Sequence, residues 1–249
     1  MAFVIALAGK GGTGKSTIAA LLVRLLVERK AQSVLAVDAD PNSNLGEVLG
    51  VMAEQTIGQI LDEVSANPDK IPGGMTKDRY IEYKVQTSVI ESKGFDLLTM
   101  GKPEGPGCYC YVSNVLRNVV DKLINDYEYV VIDNEAGLEH LSRRTTRRAD
   151  TLLVIAHNTP VALRAAQRIS LLVDELKIKT SQKLLLINMS DKSIANDRLA
   201  ELKLVSTGNI PEDSAVSGLS ALGDSVWKLS AQAPAYQAVS KFIEVIIRK

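Results

Sequence analysis

Aromatic residues are scarce in this chain of 249 residues, at 4%. Any core must therefore be built from Leu, Ile, Val and Ala. Net charge is also missing: 29 Lys and Arg balance 29 Asp and Glu. That balance excludes a general electrostatic pull toward nucleic acid, although a local patch can still hide within it. No apolar run is long enough to span a bilayer, because Arg24 breaks the best stretch, Ile18 to Val27. Nothing reads as a secretory signal, so the expected location is cytoplasmic. Histidine and cysteine number two each. In a reducing compartment, Cys108 and Cys110 are expected to be reactive or metal-binding rather than a structural disulfide. The remaining composition, 46% hydrophobic and 23% charged, is that of an ordinary globular chain with a sizeable core.

The most informative stretch is Gly9-Lys10-Gly11-Gly12-Thr13-Gly14-Lys15-Ser16-Thr17. It follows an apolar run, Phe3 to Ala8, and opens an amphipathic one, Ile18 to Glu28. Strand, glycine-rich turn and helix in that order form the setting of a phosphate-binding loop. Glycines let successive N–H groups face an anion, and the helix start adds its positive dipole end. Gly11 to Thr17 are the expected nucleotide contacts. Lys15 reaches the terminal phosphates and the Ser16 hydroxyl ligates Mg²⁺.

Further along, buried apolar runs alternate with helical periodicity. Strands are predicted at Ser33 to Val37, Phe95 to Met100, Tyr129 to Ile132, Thr151 to Ala156, Lys183 to Ile187 and Leu204 to Thr207. Helices are predicted at 16–29, Ile57 to Val64, Ser113 to Asn125 (with Ser113 as N-cap), Glu139 to Arg148, Val161 to Leu176, Ala195 to Leu202 and Ala235 to Ile247. Residues 65–94 read poorly, and Tyr80 to Ile90 alternates like an edge strand. The fold class is α/β: one domain with a mostly parallel, twisted sheet and helices on both faces. Ligands of such sheets sit beyond the carboxyl ends of the strands. Asp133 ends a strand there and is expected to hold Mg²⁺. Asp38 and Asp40 follow another strand. One carboxylate can orient the attacking water and the other can bind Mg²⁺ or its water. Turn formation before Pro41 is the plainer alternative.

The lysine-rich loop resembles that of the MinD/ParA/nitrogenase-iron-protein class of P-loop NTPases. Its mark is a second lysine, here Lys10, which implies a nucleotide-sandwich homodimer in which Lys10 reaches the partner's nucleotide. By the same resemblance Asp40 activates water, and Asp133-Asn134-Glu135-Ala136-Gly137 forms switch II. Asn188 then contacts the base, Pro211, Glu212 and Asp213 line its pocket, and the nucleotide is ATP, with ADP as product.

In an extended segment Cys108 and Cys110 point to one side. Two thiolates make half a tetrahedral site, and a two-fold dimer supplies the other half. This Cys-x-Cys, with Ala136-Gly137-Leu138-Glu139-His140-Leu141, is similar to the CooC-type ATPases that serve carbon monoxide dehydrogenase or acetyl-CoA synthase. That likeness implies nickel delivery to such a client through Cys108 and Cys110, with zinc as a competitor, and neither nucleic acid nor membrane as partner. Switch II lacks the cysteine of the nitrogenase iron protein, yet a bridging iron–sulfur cluster remains an alternative. A MinD/ParA-like spatial organiser is another. The Arg143 to Arg148 run reads as a solvated face or a dock for an acidic client. His140 and His157 read as capping or structural, and the C-terminal helix as core-packed rather than membrane-bound.

Overall fold

The computed structural model describes residues 2–103, 109–137, 148–192, 194, 199 and 201–248, with only the backbone of Tyr109 and Cys110. The strands are β1 (Phe3–Gly9), β2 (Val34–Ala39), β3 (Ile90–Glu91), β4 (Asp96–Thr99), β5 (Tyr129–Asn134), β6 (Arg148–Ala156), β7 (Lys179–Ile187) and β8 (Val205–Asn209). They form one sheet in the order β3-β4-β2-β5-β1-β6-β7-β8. Every pairing is parallel except β3 with β4, which is antiparallel. The described helices are α1 (Lys15–Glu28), α2 (Asn44–Leu49), α3 (Ile57–Ala66), α4 (Lys77–Thr87), α5 (Tyr109–Leu123), α6 (Pro160–Glu175), α7 (Ser214–Leu222) and α8 (Pro234–Ile246).

β1 shows why the sheet is covered on both sides. All seven of its residues are buried, and period-two alternation divides them between two cores. Val4, Ala6 and Ala8 join the core beneath α3, α4, α5 and α6. Phe3, Ile5 and Leu7 join the one beneath α1, α2 and α8. Each fully buried Ile or Leu contributes about 1.5–3 kcal/mol of transfer free energy, so the two layers fix both the sheet and its register.

Arg24, which broke the longest apolar run, is buried on α1. It donates to the carbonyls of Val226 (2.6 Å) and Leu229 (2.7 Å) and pairs with Glu28. Its guanidinium stands 4.7 Å above the Tyr236 ring. The charge thus ties α1 to the start of the C-terminal segment, where α8 buries Tyr236, Val239, Ile243 and Ile246.

Several sequence expectations need correction. Tyr80 to Ile90 is not an edge strand: most of it is α4, whose Ile81 and Val85, one helical turn apart, are the buried pair. Only Ile90 and Glu91 form the edge. α5 starts at Tyr109, so Ser113 is a buried residue inside the helix rather than its N-cap. Arg148 begins β6 instead of ending a basic helix. It donates to the Ala2 carbonyl (3.2 Å) and lies 3.5 Å from Asp150. The rest of that expected helix, and residues 195–198 and 200 of another, lie outside the described residues. α2 and α7 were not anticipated. No helix among the described residues is long and apolar enough to cross a membrane.

Candidate nucleotide and metal site

The site lies at the carboxyl edge of the sheet, where β1, β2, β5 and β7 end. β1 runs into the loop at Gly9, where an added Cβ would meet the Ile155 carbonyl at 2.4 Å. Gly12 and Gly14 have φ of 77° and 86°, a left-handed conformation that side chains resist. Thr13 is buried and its hydroxyl donates to the Lys10 carbonyl at 2.8 Å. α1 then begins at Lys15 with neither a side-chain cap nor an acid in its first turn, so its leading N–H groups are left for an anion. Lys15 is buried, with its Nζ 3.5 Å from the Lys10 carbonyl. Lys10 itself is exposed. The two lysines therefore address different places.

Asp38 and Asp133 are direct partners across the β2–β5 ladder and are almost wholly buried. Burial, reinforced by Asp133, pushes the Asp38 carboxyl up to about 7. The backbone N–H groups of Leu45 (2.9 Å) and Asp40 (3.2 Å) donate to its two oxygens and oppose that rise. Asp38 thus holds the start of α2 against the sheet. Burial likewise raises Asp133 to about 6, against the nearby Ser16 hydroxyl and Lys15 ammonium. Ser16 is close enough to have this influence, yet neither Asp133 oxygen has a partner of hydrogen-bond geometry. A buried carboxylate without a partner is costly. Lys15 is shifted down, by burial first, although Asp133 and Asp40 favour its charge. A buried carboxylate beside a hydroxyl is the hard-oxygen donor set of Mg²⁺, so Ser16 and Asp133 fit that ion. Asp38, with both oxygens engaged by backbone N–H groups, has neither oxygen free for that ion. Asp40 is half-exposed, and its Oδ1 accepts from the Asn42 backbone (2.8 Å) and side chain (2.9 Å).

Next to Asp133, the Asn134 amide donates to the Leu7 carbonyl at 2.9 Å. The Gly137 N–H donates to the Gly9 carbonyl at 3.0 Å. The segment after β5 is therefore hydrogen-bonded directly to the start of the phosphate loop.

Asn188, at the end of β7, donates to the Thr13 carbonyl at 2.9 Å and lines a cleft with Gly14 and Thr17. Pro211, Glu212 and Asp213 line it together with Met189, Val216 and Ala235. The carboxylate of Asp213 is committed elsewhere: Ala215 N–H (2.9 Å) donates to one oxygen and Ala235 N–H (2.9 Å) to the other. Asp213 thereby joins the starts of α7 and α8 behind the cleft. Ala235 was read from sequence as a helix start but not as a lining residue of this cleft. Cys108, the Cys110 side chain, His140 and Arg143 to Arg147 lie outside the described residues. His157 follows β6 and its Nε2 is buried without a partner.

The family described as an AAA domain, AAA_31, matches residues 2–186. The chain belongs to the AAA_31 family. It is 42% identical over 251 aligned positions to an uncharacterized ATP-binding protein of Methanocaldococcus jannaschii, covering 99% of each chain. It is 32% identical to the carbon monoxide dehydrogenase accessory protein CooC of Rhodospirillum rubrum, covering 91% of this chain and 90% of that one. Among solved structures it resembles the septum site-determining protein MinD of Pyrococcus horikoshii complexed with Mg-ADP. There the TM-score is 0.75 at 20% identity, covering 100% of this chain and 97% of the other. The chain is thus a P-loop ATPase with the MinD/ParA fold.

Proposed function

We propose that the protein is an ATP-driven metallochaperone that works as a homodimer and delivers nickel to a carbon monoxide dehydrogenase or acetyl-CoA synthase type of client. The observation that carries the reading is the Cys108-Tyr109-Cys110 sequence. Cys110 lies in the first turn of α5 rather than in the extended segment expected from sequence, and Cys108 lies outside the described residues. The CooC relative, aligned over nine-tenths of both chains, supports nickel as cargo.

The chemistry follows from the site's residues. Loop N–H groups from Gly11 to Thr17 and the Lys15 ammonium bind the phosphates. Asn188 and the cleft at Pro211 to Asp213 hold the base. Ser16 and Asp133 would hold Mg²⁺, which when bound would supply charge neutralisation at the phosphates. Asp40 orients a water for in-line attack on the γ-phosphorus. The bond to the bridging oxygen breaks, ADP leaves with that oxygen, and the water's proton passes toward Asp40. Lys10 adds positive charge from the partner across the two-fold axis. ATP closes the dimer and gathers four thiolates, a soft donor set for nickel or zinc. Hydrolysis loosens the interface and frees the metal.

Anaerobic nickel titration of wild type and a Cys108→Ser/Cys110→Ser double variant tests this, alongside size-exclusion chromatography with and without ATP. Wild type is expected to bind one nickel per ATP-induced dimer and the variant none. Undiminished binding by the variant overturns the metal assignment. The MinD likeness favours a second reading, a spatial organiser that uses hydrolysis as a timer. ATP-dependent sedimentation with liposomes would support that reading. The buried apolar face of α8 opposes it, because a membrane-binding helix needs that face free.

A further inference from the structure

The cleft behind Asn188 holds a residue that its turn does not require. Met189 follows β7 with φ of 54°, and among the described residues it is the one apolar side chain at positive φ. Glycine or asparagine would meet that backbone at little cost. The conformation is imposed from both sides. The Asn188 N–H donates to the Ala156 carbonyl (2.9 Å), and the Ser190 N–H donates to the Ile210 carbonyl (2.9 Å). Strain of this kind persists where neighbours over-determine it, and it gathers at ligand sites. Here it delivers an apolar side chain, 50% exposed, to the lining of the cleft.

Several other parts of the lining are pinned. Asn188 is tied to Thr13, Asp213 to the N–H groups of Ala215 and Ala235, and the Ile210 N–H to the Ile187 carbonyl (2.7 Å). The hollow they leave is about 60 Å³, room for a few waters but not for a purine ring. Part of the lining has to move before a base can enter. Met189 is the flexible, half-exposed apolar side chain in that lining. We propose that Met189 is the cover of this cleft: it swings out to admit the base of the nucleotide and then packs its thioether against the face of the base. The contact is apolar and sulfur–aromatic, so it adds affinity for a flat ring and none for the phosphates. The inference rests on the reading of this cleft as the base site and is independent of metal delivery.

The test uses the full chain with Mg²⁺ and isothermal titration of two ligands. One is ADP; the other is inorganic pyrophosphate, which keeps the phosphates and drops the nucleoside. Wild type is expected to bind ADP more tightly than pyrophosphate. Met189→Asn suits the left-handed backbone and removes the apolar cover. It is expected to weaken ADP about three- to tenfold, the size of one sulfur–aromatic contact, and to leave pyrophosphate unchanged. Met189→Leu keeps the apolar bulk and is expected to bind ADP within about twofold of wild type. Equal binding of ADP and pyrophosphate by wild type defeats the base site itself, and the cover with it. If wild type prefers ADP, the role of Met189 alone is overturned by any of three results. These are an unchanged preference in Met189→Asn, an equal loss for pyrophosphate, or a Met189→Leu as weak as Met189→Asn.

Discussion

Replacing Asp133 with Asn tests whether the core of the site is built for a cation. Asp133 is 1% exposed and its oxygens have no partner. Its carboxyl is raised from 3.8 to about 6, chiefly by burial. Because the folded value lies above the unfolded one, the native state holds the proton more tightly. Metal-free stability therefore falls as pH rises through about 4 to 6, and the ionised form carries the cost above that window. At 1.36 kcal/mol per pKa unit, the cost is about 3 kcal/mol near pH 8 and about half of that near pH 5. Asparagine resembles the protonated acid in shape and has no charge to bury. Asp133→Asn should then be more stable than wild type by about 3 kcal/mol near pH 8, with the gain shrinking to about half near pH 5. Relief of Asp38, which Asp133 also pushes up, acts in the same direction. Urea unfolding in EDTA at the two pH values reads the difference directly. Mg·ATP should reverse the order, stabilising wild type more than the variant, and the variant should not turn over ATP. A variant no more stable than wild type at the higher pH, or one with an equal gain at both, refutes the argument.

Gly14→Ala places a Cβ 2.4 Å from the Asn188 amide nitrogen at a residue with φ of 86°. It should cost about 1–2 kcal/mol of stability and abolish nucleotide binding, measured by unfolding and by isothermal titration with ATP. Asp213→Ala removes the acceptor for two backbone N–H groups. The loss of a helix cap plus a stranded buried donor should cost about 2–4 kcal/mol, and Kd for nucleotide should rise because α7 and α8 are no longer joined behind the cleft.

What could be read from the sequence was local. The phosphate loop was legible because strand, glycines, Lys15 and helix follow each other directly. β5 and Asp133 were legible as an apolar run ending in a carboxylate. α4 was misread because Tyr80, Ile81, Tyr83 and Val85 suit a strand alternation as well as a helix face, and only packing on α3 and α5 decides. α7 has no buried residue, so no apolar stripe announced it. Contacts between distant positions were not legible either. Asn188 meets Thr13 across 175 positions, and Asp213 reaches Ala235. Each depends on strand order, which periodicity does not encode.

The two ends of the sheet carry a further consequence. β3 is two residues long and runs against its neighbour. β8, at the other end, has a register shift against β7 that skips Thr207. Short, reversed or bulged borders are poor templates for backbone pairing with another chain. Copies of this protein are thereby steered away from joining sheet to sheet into open-ended stacks. The proposed dimer instead uses the loop rim, where association can close on itself.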